Sequence, residues 1–186
     1  RKSQPALASC RNPPWEVNQL SEEEYFAAKA PDVAQLKGKA RKDAIRSLEM
    51  SQPQIWHAYQ IDKRNFETSN EFFRASNRFK LTAVGKVNTY ALFAELFSEV
   101  ARRSGIVVPT ELATSDTTKA FFSHLIDSGR LRNLYDFQTG MGFFDRIGHA
   151  RFKFALVSLG EKRSSSNPSF RVAFFLRTEQ EMADRS

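Results

Sequence analysis

The chain has 186 residues, of which 41% are hydrophobic and 26% charged, a composition that predicts an ordinary globular domain with its own core. The sequence has no run of about 18 apolar residues, so it predicts no membrane span. The single cysteine, Cys10, excludes an internal disulfide and favours the reducing cytoplasm. The net charge of +7 favours a polyanionic partner, nucleic acid first, although many basic proteins bind nothing acidic.

The N-terminal part begins with a short apolar stretch, "ALASC" (6–10), which predicts a buried strand that ends at a proline-rich turn. Ser21 followed by Glu24 is typical of a capping box, and Pro31 is expected to stop the helix that it opens. The polar stretch 18–80 carries apolar residues at helical spacing, so it predicts an insertion of two or three more helices with a break near 51–53.

The second half predicts a helix after Asn88, with Leu92, Leu96 and Val100 on its buried face. Apolar runs then predict strands at "GIVVPT", "LRNLYDF", "ARFKFALVSLG" and "FRVAFFLRT". A further helix follows the first of these runs, capped by Thr114 or Ser115. This order predicts an α/β fold with a mixed sheet that is parallel where helices cross over and antiparallel near the C-terminus.

The stretch "RNPPWEV" (11–17) places a rigid Pro-Pro pair at the end of the first strand, where α/β folds bind ligands. The Asn12 side chain and the Pro13 backbone carbonyl offer two adjacent acceptors, which suit an exocyclic NH2 group. Trp15 offers a flat surface on which a heterocycle can stack. Together these groups suit an amino-bearing base that has been removed from its duplex.

The NPPW sequence resembles the catalytic motif (D/N/S)-P-P-(Y/F/W) of amino-group DNA methyltransferases. The segment from "VNTYALFAELF" to "LRNLYDFQ", with "RFKFALVSLG" after it, is similar to the region that follows this motif in large adenine-N6 methyltransferases of type IIG restriction–modification and phage-defence systems. The resemblance covers most of residues 11–160. It implies that residues 1–186 are one partial Rossmann-like methyltransferase catalytic domain with the helical insertion at about 18–80.

The resemblance also implies a role for each residue of the turn. Asn12 and the Pro13 carbonyl would accept hydrogen bonds from the adenine N6 amino group, Pro14 would hold the turn, and Trp15 would stack on the flipped base of double-stranded DNA. Phe143 or Phe144 would cover its other face. The methyl donor would be S-adenosylmethionine, and the direct in-line transfer would need no metal.

A glycine-rich cofactor loop normally precedes this motif, and only eleven residues precede Asn12. We therefore expect the chain to be the second half of a catalytic domain that does not bind S-adenosylmethionine alone. A circularly permuted arrangement, with Gly140 and Gly142 in the cofactor loop, is the alternative to a plain hairpin turn there. The strand at 5–11 would then be an open edge for a second copy or a partner chain.

Arg74, Arg78 and Lys80 alternate with phenylalanines, a pattern that favours contact with DNA phosphates over a merely solvated face. The three histidines lack neighbours at metal-ligand spacing. Two other functions fit the sequence. One is a non-catalytic, methyltransferase-like module that binds nucleic acid or protein. The other is methylation of a glutamine amide in a protein, against which the basic charge argues.

Overall fold

The computed structural model describes residues 9–138, 153–163 and 169–184. Within these ranges the chain forms eight helices and five strands. In chain order they are β1 (Ser9–Arg11), α1 (Glu22–Ala27), α2 (Pro31–Gln35), α3 (Gly38–Ser51), α4 (Pro53–Ala75), α5 (Thr89–Val100), β2 (Ser104–Pro109), α6 (Glu111–Thr114), α7 (Lys119–Asp127), β3 (Leu131–Gln138), β4 (Lys153–Leu159), β5 (Arg171–Leu176) and α8 (Glu179–Ala183).

The five strands form one mixed sheet in the order β1-β2-β4-β3-β5. β1 pairs in parallel with β2, and β3 pairs in parallel with β5. β4 lies antiparallel between β2 and β3, so the other four strands all run in the same direction. The predicted α/β class with a mixed sheet is confirmed. β1 and β5 are the two ends of the sheet as far as the structure describes it.

Alternation along the strands divides the core between the two faces of the sheet. On one face, buried strand residues pack against α5, α6 and α7. This cluster includes Ile106, Val108, Leu134, Ala155, Val157, Tyr90, Ala94, Leu112, Phe121 and Leu125. The other face carries a smaller cluster, comprising Tyr135, Phe137, Phe154, Ala173 and Leu176. Each large apolar side chain in these clusters contributes about 1.5–3 kcal/mol by leaving water.

Residues 18–76 form a compact unit, and the other described residues form a second one. The first unit has its own core around Phe26, Leu48 and Tyr59. The Tyr59 hydroxyl donates to Glu22 Oε1 at 2.9 Å. Burial, and then this bond to Glu22, raise the pKa of Tyr59 well above its ordinary value.

Several predicted helix boundaries are confirmed, but the predicted role of Pro31 is wrong. The Glu24 N–H donates to Ser21 Oγ at 3.4 Å, as a capping box requires, and the break between α3 and α4 falls at Gln52. Pro31, however, does not stop α1, which already ends at Ala27. Pro31 instead opens α2, because the first turn of a helix leaves N–H groups without partners and tolerates a residue that has none.

The region after Asn88 also differs in detail from the prediction. α5 begins at the next residue, but the Asn88 side chain donates to the Lys86 carbonyl and does not cap the helix. The buried face carries Leu92 together with small and polar residues, whereas Val100 is exposed and Leu96 is only half-buried. The helix predicted after Thr114 or Ser115 begins later than expected, because α7 starts after Thr118. A short helix that was not predicted, α6, ends at Thr114, where the cap was placed. None of the described helices is both long and apolar enough to cross a bilayer.

Candidate functional site: the turn after the first strand

The NPPW turn directly follows β1, at the end of the strand where parallel sheets bind ligands. Asn12 and Pro14 are exposed, Pro13 is buried and Trp15 is half-buried. The two prolines fix φ at consecutive positions, so the backbone of the turn has little freedom. The predicted position of the turn is confirmed.

Thr89, the first residue of α5, fixes the turn from the side. Its hydroxyl lies 2.8 Å from the Pro14 carbonyl and 3.1 Å from the Glu16 carbonyl, to both of which it can donate. The Thr89 hydroxyl oxygen also accepts a bond from the Glu16 N–H at 3.1 Å. The Thr89 backbone N–H donates to the Glu16 carbonyl at 2.9 Å. A β-bridge between Val17 and Asn88 continues this pairing. Thus the turn is held to the N-terminus of α5 by side-chain and backbone bonds together.

Trp15 extends from the turn towards the neighbouring strand. Its indole Nε1–H donates to the Val107 carbonyl of β2 at 3.3 Å, and the ring packs against the buried clusters of both sheet faces. Trp15 therefore takes part in the core, as a tryptophan in an ordinary rigid turn would, and its bond to Val107 was not evident from the sequence. Its remaining exposed surface is what a stacked heterocycle could contact.

Two acceptors of the turn have no hydrogen-bond donor among the described residues. Among the residues that the structure describes, no donor meets the Asn12 side-chain amide or the Pro13 carbonyl, whereas the next carbonyl, that of Pro14, is taken by Thr89. An exposed amide oxygen and a backbone carbonyl one residue apart can together accept two hydrogen bonds from one NH2 group.

Asp136, which the sequence analysis did not single out, is a buried carboxylate of β3 with 1% of its surface exposed. Its Oδ1 accepts from the Thr110 hydroxyl at 2.5 Å, and its Oδ2 accepts from the Phe175 N–H at 3.3 Å. A buried carboxylate needs such partners. Asp136 thereby links β3 to the end of β2 and to a bulge in β5.

That bulge presents an exposed aromatic residue. Phe175 has φ +62°, in the left-handed region that bulky side chains rarely adopt, and 59% of its surface is exposed. Lys153 Nζ lies 4.3 Å from the centre of its ring. A strained residue at a bulge often serves a binding site. The consecutive aromatics of "VAFFL", which break strict alternation, are the signal that could have revealed it.

The other predicted site residues remain predictions. Arg74 belongs to the unit of residues 18–76, whereas Arg78 and Lys80 belong to the other unit, and all three are exposed. Phe143 and Phe144, like Gly140 and Gly142, lie outside the described residues. No group of three potential metal ligands occurs in the part of the chain that the structure describes.

Together these features define a mixed α/β domain. A rigid turn that carries a tryptophan follows its first strand, at the end of the sheet where such domains bind ligands. No family model matches the sequence, and the comparison with curated proteins finds no match. A solved structure described as the cryo-EM structure of a DrdV–DNA complex contains a chain that is 13% identical to this one, with a TM-score of 0.49. The likeness covers 96% of this chain and 16% of the chain in that complex. This protein therefore spans only a small part of the length of the other chain. Values this low do not define a shared fold.

Proposed function

We propose that this chain is part of an S-adenosylmethionine-dependent DNA adenine-N6 methyltransferase of a restriction–modification or phage-defence system, and that it carries the target-base site. The observation that carries the proposal is a pair of acceptors, the Asn12 side chain and the Pro13 carbonyl, that no described donor meets, beside a Pro14 carbonyl that is already occupied. The parallel strands with one antiparallel strand near the C-terminus also agree with the Rossmann-like sheet that the NPPW resemblance implies. In this proposal the two compact units together form one catalytic domain.

The turn would act by positioning the target base. The Asn12 side-chain oxygen and the Pro13 carbonyl would each accept an N–H of the adenine N6 amino group, which directs the nitrogen lone pair away from the turn. Trp15 would stack on the base and replace part of the stacking that it loses on leaving the duplex. Because the turn is rigid before the base arrives, little ordering would be needed at the moment of reaction.

The cofactor would supply an electrophilic methyl group, but the described residues do not form a recognisable site for it. The glycines of the described part, Gly38, Gly85, Gly105, Gly129 and Gly160, are far apart in sequence. None of them forms a glycine-rich turn after a strand, so we derive no step through the cofactor. Isothermal titration with S-adenosylmethionine tests this point: micromolar binding would show that the chain holds a cofactor site.

The test of the target-base site compares two fluorescein-labelled duplexes by anisotropy. One carries adenine opposite an abasic site, where flipping is cheap, and the other carries unsubstituted purine, which lacks the N6 amino group. We expect the adenine duplex to bind roughly tenfold more tightly, because purine leaves the two acceptors without donors. Asn12→Ala should abolish most of this preference. Asn65→Ala, the same change at an exposed position of α4, should keep it.

The alternative is a non-catalytic, methyltransferase-like module that binds nucleic acid or protein. The observation in its favour is the structural use of Trp15, whose indole N–H bonds to Val107 and whose ring packs on both core clusters. Such a module would bind the adenine and purine duplexes equally. That result would also contradict the methyltransferase proposal.

The partner proposals follow from the sheet edge and the basic residues. β1 lies at an end of the described sheet, and no described strand pairs with its outer side. We propose that residues 5–11 pair with a second copy or a partner chain. Sedimentation of a monomer at high concentration would count against self-pairing.

Arg74, Arg78 and Lys80 remain proposed contacts for DNA phosphates, and neutralising each should reduce the salt dependence of duplex binding.

A further inference from the structure

A cavity of about 1200 Å³ lies at the edge of the sheet where β2, β3 and β5 begin and β4 ends. Its walls include Ser104 and Gly105 from the start of β2, Asn133 from β3, and Gly160 after β4. None of the residues of the NPPW turn lines it. The cavity is thus a separate feature from the turn at the other end of β1.

The charge of the cavity wall is strongly one-sided. The charged residues that line it are Arg103, Arg132, Lys162, Arg163, Arg171 and a single acid, Glu161. The Glu161 carboxylate is already paired, because Arg102 Nη2 lies 2.7 Å from its Oε1. The wall therefore carries an excess of positive charge that this carboxylate does not neutralise.

The cations are close enough to disfavour one another. Burial lowers the pKa of Arg132, and Arg163, Arg130 and Arg103 lower it further, whereas Glu161 opposes them. The Arg132 guanidinium is held in place by the carbonyls of Gly129 and Glu161. Gly160 is needed for this arrangement, because a Cβ there would lie 2.5 Å from Arg132 Nε. The fold thus holds a guanidinium among like charges, an arrangement that a bound anion would relieve.

A buried hydroxyl in the wall has no partner. Ser104 is only 5% exposed, and its Oγ makes no hydrogen bond to any residue that the structure describes. Nearby, Asn133 Nδ2 donates to Ser158 Oγ at 2.8 Å. Buried polar atoms are rarely left unpaired, so the Ser104 hydroxyl, in a residue that lines the cavity, is a donor that a bound ligand can use once the side chain rotates towards it.

We infer that this basic cavity binds a phosphate group. Guanidinium groups match the oxygens of phosphate in geometry and charge, and a serine hydroxyl completes the donor set. Arg103 and Arg163 line the cavity and are exposed, so they supply accessible donors, while Arg132 supplies a charge that two carbonyls hold in place. The phosphate belongs either to a nucleic-acid backbone or to a small phosphorylated molecule. This inference does not depend on the proposed methyl transfer.

The experiment titrates the whole chain with inorganic phosphate and follows backbone amides by NMR. We expect the amides of Ser104, Gly105 and Gly160 to shift and saturate. The double variant Arg103→Gln/Arg163→Gln should raise the Kd at least tenfold. Lys119→Gln, the same loss of charge at an exposed residue that does not line the cavity, should change the Kd less than twofold.

Ser104→Ala provides an uncharged second test, because it removes the orphaned hydroxyl with little change in volume. It should weaken phosphate binding severalfold and leave the thermal unfolding temperature unchanged or higher.

Competition with a labelled duplex and with adenosine diphosphate then distinguishes the two sources of the phosphate. Displacement by the duplex, with a salt slope reduced by about 2 in the double variant, indicates a nucleic-acid backbone. Displacement by the nucleotide alone indicates a small molecule. Unmoved cavity amides, or an unchanged Kd in the double variant, would overturn the inference.

Discussion

The Thr89 hydroxyl lies 2.8 Å from the Pro14 carbonyl, although the two residues are 75 positions apart in the chain. The side chain of Thr89 thereby adds to the backbone bonds that hold the turn after β1 to the N-terminus of α5. The same oxygen also accepts the Glu16 N–H, so its bonds reach both sides of Trp15. Removing this hydroxyl is the smallest change that would loosen the turn without touching Asn12 or Pro13.

We expect Thr89→Val to lower the free energy of unfolding by about 1–2 kcal/mol, since Val keeps the shape of Thr and removes only the hydroxyl. The melting temperature should fall by roughly 2–6 °C, as measured by circular dichroism. Thr89→Ser, which keeps the hydroxyl, should retain most of this stability. Equal melting temperatures for the Val variant and the wild type would show that water replaces the clamp at no cost.

Asp136→Ala should be one of the more damaging single substitutions. It leaves the Thr110 hydroxyl and the Phe175 N–H without their acceptor, at a cost of about 2–4 kcal/mol in urea unfolding. Asp136→Asn keeps one carbonyl oxygen, so its loss should be about half as large. Identical losses for Ala and Asn would mean that the negative charge matters and the number of acceptors does not.

Phe175 should show an unusual order of stabilities. Its φ of +62° is strained for any residue with a Cβ, so Phe175→Gly should be about 1 kcal/mol more stable than Phe175→Ala. Urea unfolding of the two variants tests this directly. If the exposed ring contacts nucleic acid, both variants should bind a labelled duplex more weakly than the wild type. An Ala variant as stable as the Gly variant would argue against backbone strain.

Tyr90 should make the protein sensitive to alkali. Burial, with a smaller effect of Glu111, raises its pKa from 10.0 to about 12. Because the folded state resists ionisation of the Tyr90 hydroxyl, the contribution of this residue to the free energy of unfolding is complete below pH 10. This contribution is lost as the pH rises from 10 to 12. The loss should approach about 2–3 kcal/mol. Tyr90→Phe cannot ionise, so the stability gap between variant and wild type should change in this interval and remain constant between pH 7 and 9.

The sequence predicted the elements whose signals are local. A short apolar run identified β2, and the Ser21–Glu24 spacing identified the start of α1. The turn at Asn12 was predicted because Pro-Pro restricts the backbone wherever it occurs. Pro31 was misjudged because the same rule applies to both ends of a helix, and only the surrounding chain decides which end a proline occupies.

The features that the sequence missed depend on contacts between distant residues. Nothing near Asp136 indicates that it bonds to Thr110 and Phe175, and nothing near Trp15 indicates a bond to Val107. The basic cavity likewise draws its charges from the ends of several strands. Such clusters arise from the strand order, which local patterns do not encode.

The central position of β4 has a consequence for the nascent chain on the ribosome. β2 and β3 are synthesised before β4, yet each pairs with β4, so both must wait until Lys153–Leu159 has emerged. At roughly 5–20 residues per second, the edge of β2 that faces β4 and both edges of β3 remain unpaired for about a second or longer. During that time their edges can join those of neighbouring copies. Slow translation between the codons for β3 and β4 would therefore lower the yield of soluble protein.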